Sequence, residues 1–519
     1  MAVWRRVLLL CSVWVGCGGT GTPGLDGSGQ GDEAPGDSTP SDGSGGRTDN
    51  ATPPEGPTPP SQPSTSFGTP YLVRDIFPPS SITPPWYQPA PELLVSFRGR
   101  LYFAPYFADG HGGLWTSDGS EGGTVELKGF PAETEIPWNP VQGLTPVGNQ
   151  LFFSGRDEAY GRELWVSDGS ASGTRRVKDI TPGAGDTSLT DLTRLGTRLF
   201  FIRSQMSEDY SVRSEVWMSD GSEAGTFRVK DLGPKSYVTG TPTVMGGTLL
   251  FSVDEPEHGS ELWRTDGTEA GTFRVKDIEP GAGGAHPRSF QTAGGSLFFI
   301  TDTQSRDQEL WRTDGTEAGT QWVRALPRAS TPVASLMPGT GSNVFLAHSG
   351  ADHLMRLSSL ELDGSGGVRE REVATLTNDY AAQEDADPGV VTFAVAGGKL
   401  FFAQAISSGG PVPLEAQLWV TDGTQAGTLQ LSRLLSRRDE FQSSIYAVGD
   451  RVLYNESGSD LGLEPWVSDG TAAGTALVQD INPVGNSFPY RFTRVGSTVY
   501  FVAYDSTHGY ELWALPING

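Results

Sequence analysis

One stretch constrains this chain more than any other: Glu163-Leu164-Trp165-Val166-Ser167-Asp168-Gly169-Ser170-Ala171-Ser172-Gly173-Thr174. It recurs. After Trp115, Trp165, Trp217, Trp263, Trp311, Trp419 and Trp466, an Asp follows three residues on, a Gly four, a Ser or Thr five, and a Gly-Thr pair eight and nine. The steps between these anchors are 50, 52, 46, 48, 108 and 47 residues. The long step spans two units, with a worn copy at Leu354-Met355-Arg356 and a turn-like Asp363-Gly364-Ser365-Gly366-Gly367. A ninth copy begins at Glu511-Leu512-Trp513. A fixed period of this length means a repeat architecture.

Each unit carries four strand-like runs. In the second unit they are Gln142 to Val147, Gln150 to Ser154, Arg162 to Ser167 and Arg175 to Ile180, separated by Gly-containing turns. Short aromatic and β-branched runs at about ten-residue spacing are strand signals. Four such strands per unit make the blade of a β-propeller. The spacing therefore predicts an all-β propeller of about nine blades, or eight if the degenerate unit between Trp311 and Trp419 loops out. The last copy lacks a fourth strand, and a spare one, Tyr71-Leu72-Val73-Arg74-Asp75-Ile76, follows Gly68-Thr69 at the start. Pairing the two closes the ring and removes two exposed sheet edges.

These residues resemble the bacterial ELW-x-x-DGT repeat family, over residues 68–519. The copies at Trp263 and Trp311 both read Glu-Leu-Trp-Arg-Thr-Asp-Gly-Thr-Glu-Ala-Gly-Thr. Gly113, Gln417 and Pro465 depart from the pattern. The resemblance implies a repeat scaffold of exported or surface proteins and no shared catalytic activity.

Ahead of the repeats lie two other regions. Residues 1–16 read as an export signal, with Arg5-Arg6 before an apolar core too short to span a bilayer. Val15-Gly16-Cys17 resembles a bacterial lipobox, which makes Cys17 the lipidated residue; Trp14 departs from the usual Leu. The chain has two cysteines, Cys11 and Cys17, so the mature form holds no intrachain disulfide. Residues 17–67 form a tether of Gly, Ser, Thr, Pro and Asp, too poor in apolar groups to fold. Gly18 after the lipobox favours the outer membrane or cell surface of a Gram-negative cell. A net charge of −25 disfavours nucleic acid as partner.

Candidate chemistry is sparse. Asp118, Asp168, Asp220, Asp266, Asp314, Asp422 and Asp469 suggest either a Ca²⁺ ladder or a locally satisfied turn like the Asp-box of sialidase-type propellers. One carboxylate per unit does not converge, which favours the turn. Glu163 and Glu261 lie two residues before their Trp, on the same face, and the expected partner of such a Glu is a fourth-strand lysine: Lys178, Lys230 or Lys276. His111, His258 and His508 hold equivalent loop positions on the face where propeller ligands bind; exposed loop histidines are expected, and a metal site is the alternative. The innermost strands carry few charges: Asp191, Arg194, Arg491 and Arg494. No nucleophile elbow, phosphate loop or Cys/His metal spacing appears, so no catalytic residue, metal or cofactor is assigned.

The sequence therefore predicts a lipid-anchored propeller acting as a binding or adhesion module at the cell envelope, with no catalytic activity. Its expected partners are an envelope or extracellular protein or glycan, with the membrane reached through lipid only and the ring monomeric. A glycan hydrolase and a structural envelope protein are the alternatives.

Overall fold

The second strand of each unit is apolar at consecutive positions, as in Leu151-Phe152-Phe153, and all three side chains are buried. A strand covered on both faces reads this way because each blade is sandwiched between two neighbours. The computed structural model describes residues 65–77, 89–107, 110–131, 139–303, 308–326, 334–364, 366–382, 386–406, 416–432, 445–458 and 461–518. These form nine antiparallel four-stranded blades. Blade 1, from the axis outward, is Ala90–Phe97, Arg100–Tyr106, Gly112–Ser117 and Val125–Phe130. Blade 2 is Val141–Val147, Gln150–Asp157, Gly161–Ser167 and Arg175–Arg176. Blade 3 begins with Ser188–Leu195 and blade 8 with Tyr446–Val448. Residues 1–64, which carry the expected export signal, Cys17 and most of the tether, lie outside the described residues. Among the described residues no helix is long and apolar enough to cross a membrane.

The degenerate unit does not loop out. Ser335–Pro338, Val344–Ser349, Met355–Leu362 and Val368–Leu376 form a complete sixth blade. Leu357 stands where the other blades have Trp, opposite Ala347, and both are fully buried.

Elsewhere the anchor Trp faces a second-strand aromatic across the ladder. The pairs are Phe103–Trp115, Phe153–Trp165, Phe201–Trp217, Phe251–Trp263, Phe299–Trp311, Phe402–Trp419, Tyr454–Trp466 and Phe501–Trp513. Each blade-to-blade interface has its own apolar cluster, and there are nine of them. The cluster between blades 9 and 1 joins Val73, Ile76 and Phe77 to Val502, Leu512, Leu101 and Phe103.

Closure occurs as the sequence predicts. Blade 9 consists of Tyr490–Val495, Thr498–Asp505 and Gly509–Asn518, completed by Tyr71–Arg74 from the other end of the chain. Leu72 pairs with Trp513, and Ser66–Phe67 extends the pairing to Asn518 and Ile517.

Candidate functional site: the axial cup and the repeat turns

The seven turn aspartates are spent on their own turns. Each Oδ1 accepts the backbone N–H and the hydroxyl of the Ser or Thr two residues on; in Asp168 these are 2.9 and 2.7 Å from Ser170. That hydroxyl then accepts the N–H of the later Gly, and the closing Thr binds the carbonyl above it, as Gly173 and Thr174 do. The same set recurs at Asp118, Asp220, Asp266, Asp314, Asp422 and Asp469. Hydrogen bonds to the ionised form hold all seven carboxyls below the usual range.

The turns also join blades. Arg98 donates to Asp168 O at 2.7 Å, Arg175 to Gly221 O at 2.8 Å and Arg371 to Gly423 O at 2.9 Å, each from the preceding blade. Across the closure, Arg74 donates to Thr124 O at 2.5 Å and Tyr71 to Gly119 O at 3.2 Å.

The expected Glu–Lys pairing does not form. Lys178 instead reaches Thr226 O of the next blade at 2.8 Å. Glu163 accepts Thr181 N–H and the Thr187 hydroxyl, while Glu261 accepts Ile278 N–H and Glu279 N–H. The carboxylate holds the segment leaving the outermost strand, because that segment turns inward and leaves its amides without ladder partners.

The three loop histidines stay within their own surroundings. His111 stacks on Phe107 with ring centres 4.2 Å apart. His258 Nδ1 is 3.1 Å from Asp277, and His508 Nδ1 is 2.8 Å from Asp505. Among the described residues no group of three or more His, Cys, Asp or Glu is placed to hold a metal.

The innermost strands assemble a site that the sequence leaves scattered. Most carry a bulge at the same place: the register breaks at Glu92/Val95, Gln142/Thr145, Thr190/Thr193 and Tyr490/Thr493. The bulged residues Leu93, Gly143, Asp191 and Arg491 have φ of 55°, 69°, 56° and 58°. Left-handed backbone is uncommon outside glycine, and bulges of this kind re-aim side chains. Here they line one cavity of about 470 Å³ on the axis, shared by blades 9, 1, 2 and 3, with Gln142, Thr145, Leu189, Thr190 and Leu192. A cup of this size suits a small organic ligand. Threonines stitch its wall: Thr493 donates to Leu94 O at 3.2 Å and Thr145 to Leu192 O at 3.3 Å.

Of the four inner-strand charges, Asp191 and Arg491 both line this cup. Arg194 and Arg494 do not; each folds back onto its own hairpin, at Gly196 O and Gly496 O. Asp191 Oδ2 accepts the Thr190 hydroxyl at 2.8 Å. Burial raises its carboxyl above the usual range, only partly offset by that bond, with no neighbouring charge contributing. The Arg491 guanidinium lies over the Tyr490 ring at 5.8 Å. Gly143 and Gly240 stand at the corresponding bulges of blades 2 and 4, and inner-strand glycines are the signal from which the bulge could have been found.

No protein-family model and no curated protein matches the chain. Solved structures do. A puromycin hydrolase is 13% identical with a TM-score of 0.38, over 82% of this chain and 59% of its own. Prolyl oligopeptidase B from Galerina marginata is 12% identical with a TM-score of 0.41, over 70% of this chain and 55% of its own. The β-propeller domain of the Trilobed protease from Pyrococcus furiosus is 12% identical with a TM-score of 0.34, over 63% of this chain and 93% of its own. This chain spans little more than half the length of the first two. At such identity the likeness is one of fold. Against the expectation of an adhesion module that is no enzyme, these structures are named as a hydrolase, an oligopeptidase and a protease. That expectation rested on missing local motifs, and groups that converge only around an axis leave none.

Proposed function

We propose that the axial cup is a substrate site and that Asp191 performs acid–base work there, in the hydrolysis of a small acyl or phosphoryl ester. The observation that supports this is the Asp191 carboxyl itself. It stands in a cavity with Arg491, on left-handed backbone, raised by burial and bonded to one hydroxyl. A perturbed carboxyl in a half-apolar cup is a general-base candidate on physical grounds. In this reading Asp191 takes the proton of an attacking water, Arg491 faces the anionic oxygen of the substrate, and Leu93, Leu189 and Leu192 hold its apolar body.

Aryl esters and aryl phosphates test the reading. Turnover should fall at least about 100-fold in Asp191→Asn, the range that one general base supplies. In the parent the rate should decline as pH drops through the raised carboxyl value, since only the ionised form accepts a proton. Turnover that survives Asp191→Asn, or none on any ester, sinks the proposal.

We further propose that Cys17 carries lipid and that the chain is an exported member of the ELW-x-x-DGT group. The signal, the lipobox and the tether support export, and the repeat residues support the group. Cys17→Ser should move the protein from the membrane to the soluble fraction; an unchanged partition would count against it.

A further inference from the structure

The Glu ahead of the anchor Trp is among the most deeply buried charge-bearing groups in the ring. Glu163, Glu261, Glu464 and Glu511 are all 0% exposed. A second carboxylate acts on each, from the Asp that ends or follows the outermost strand: Asp179, Asp277, Asp480 and Asp75. Two carboxylates in one closed place repel and call for a positive charge. Blade 2 has a guanidinium at hand, with Arg176 Nη1 4.0 Å from Asp179. Blade 4 has an imidazole, with His258 3.1 Å from Asp277.

Blade 8 differs from both: no ion pair among the described residues reaches Asp480, and Asn482 adds an amide oxygen to the kind of unpartnered carboxylate oxygen that blades 2, 4 and 9 also hold, at Glu163, Asp179, Asp277 and Glu511. Glu464 Oε1, Asp480 Oδ1 and Asn482 Oδ1 are buried there without a hydrogen-bond partner. Asn482 is only 3% exposed. Both side chains are oriented by their other atoms. Glu464 Oε2 holds Ile481 N–H at 2.9 Å and the Ser487 hydroxyl at 2.6 Å. Asn482 Nδ2 donates to Asn486 O at 2.9 Å, which leaves the amide oxygen free. The three groups flank the Ile481 N–H that Glu464 binds. An unpaired buried polar oxygen is costly, and an amide oxygen two residues from one such carboxylate oxygen, with a second carboxylate bound to the residue between them, is a set that a cation satisfies.

We propose that blade 8 binds a hard divalent cation, of the Ca²⁺ type, through Glu464, Asp480 and Asn482. All-oxygen ligands with two carboxylates suit Ca²⁺ over softer metals, and water completes its shell. The site is separate from the axial cup and from the turn aspartates, whose Oδ1 atoms are spent on their own turns.

The test uses the full chain after chelation. Tb³⁺ serves as probe, excited through Trp466, which lies two residues along the same strand face from Glu464. One Tb³⁺ should bind per chain and be displaced by Ca²⁺. Ca²⁺ should also raise the melting temperature relative to chelator. Asp480→Asn should weaken Tb³⁺ binding by about tenfold or more, because charge count sets affinity at such sites. Glu163→Gln, in the blade that has its own guanidinium, should leave it unchanged. Asp480 is only half-buried, so its variant keeps the fold if Glu464→Gln does not. No saturable Tb³⁺ signal, or equal binding by Asp480→Asn and parent, overturns the proposal. So does a Ca²⁺-insensitive melting temperature whose pH dependence disappears in Glu464→Gln, since a shared proton would then fill the site.

Discussion

The turn aspartates show how much one residue type does when every partner is local. Their acceptors and donors lie within six residues, which is why the pattern was readable from spacing alone. The later glycine is part of that pattern because there is no room for a side chain: a Cβ at Gly173 would lie 2.0 Å from Asp168 Oδ1. Gly173→Ala should expel the carboxylate, break the turn and cost about 1–3 kcal/mol, measured by denaturant unfolding. Asp168→Asn keeps the Oδ1 acceptor and should cost clearly less; equal losses would refute the steric account. The buried glutamates were not readable in this way. Their partners are backbone amides some 17 residues downstream, as with Glu261 and Ile278, and no side-chain pattern marks an amide. Their chemistry sets a pH dependence. Burial, with a neighbouring carboxylate adding to it, pushes Glu261 up to about 7 and Glu511 up to about 8. Asp277 and its partner His258 stand by the first, and Asp75 by the second. A carboxyl raised on folding lends stability below its unfolded value, and that stability is lost as pH rises through the folded value. The turn aspartates, lowered on folding, act in the opposite sense and lose their contribution as pH falls below the ordinary aspartate range. The melting temperature should therefore peak in mild acid, decline as pH rises toward about 8, and level off beyond. Glu261→Gln and Glu511→Gln should flatten that decline, and a profile unmoved by both would refute the assignment.

Among the elements, the outermost strand is where the sequence reading and the structure part. Arg175 to Ile180 reads as one strand, yet only Arg175–Arg176 pairs in full. Glu163 draws the following segment inward, so that Val177 and Ile180 drop into the core between blades 2 and 3. The closing strand was legible because a Gly-Thr and a strand stood at the start with no unit before them. It supplies Val73, Ile76 and Phe77, all under 9% exposed, to the interface between blades 9 and 1. Deleting residues 66–77 should cost several kcal/mol, since each large buried apolar side chain is worth about 2–5 kcal/mol, and should promote association through the bared edge of Gly509–Asn518. Thermal melting with light scattering reads both, and a truncated chain that melts like its parent would sink this account of closure.

At the scale of the whole molecule, the nine blades followed from counting anchors, because each unit folds by short-range pairing. The axial cup did not, because Asp191 and Arg491 come to line one cavity only when the ring closes. The same logic gives a last prediction. Each blade meets its neighbours through a separate apolar cluster, and the closure between blades 9 and 1 is one such interface among nine. What the closure needs is Tyr71–Arg74 on blade 9, not a chain break beside it. Ser66 already pairs with Asn518, so a short Gly-Ser linker can join the two ends. New ends can then be opened between Gly281 and Ala282, both exposed in the loop from blade 4 to blade 5. Exposed loop tips of this kind tolerate new termini. This permutant keeps all nine interfaces and should melt in one transition within about 2 °C of the parent, since a change of roughly 1 kcal/mol shifts a chain of this size by only about 1 °C. It should also retain the cup, so any ester turnover should persist. A permutant that melts in two steps, or far below the parent, would mean that the break between Asn518 and Ser66 is itself required. The ring would then depend on its seam rather than on the sum of equivalent blade contacts.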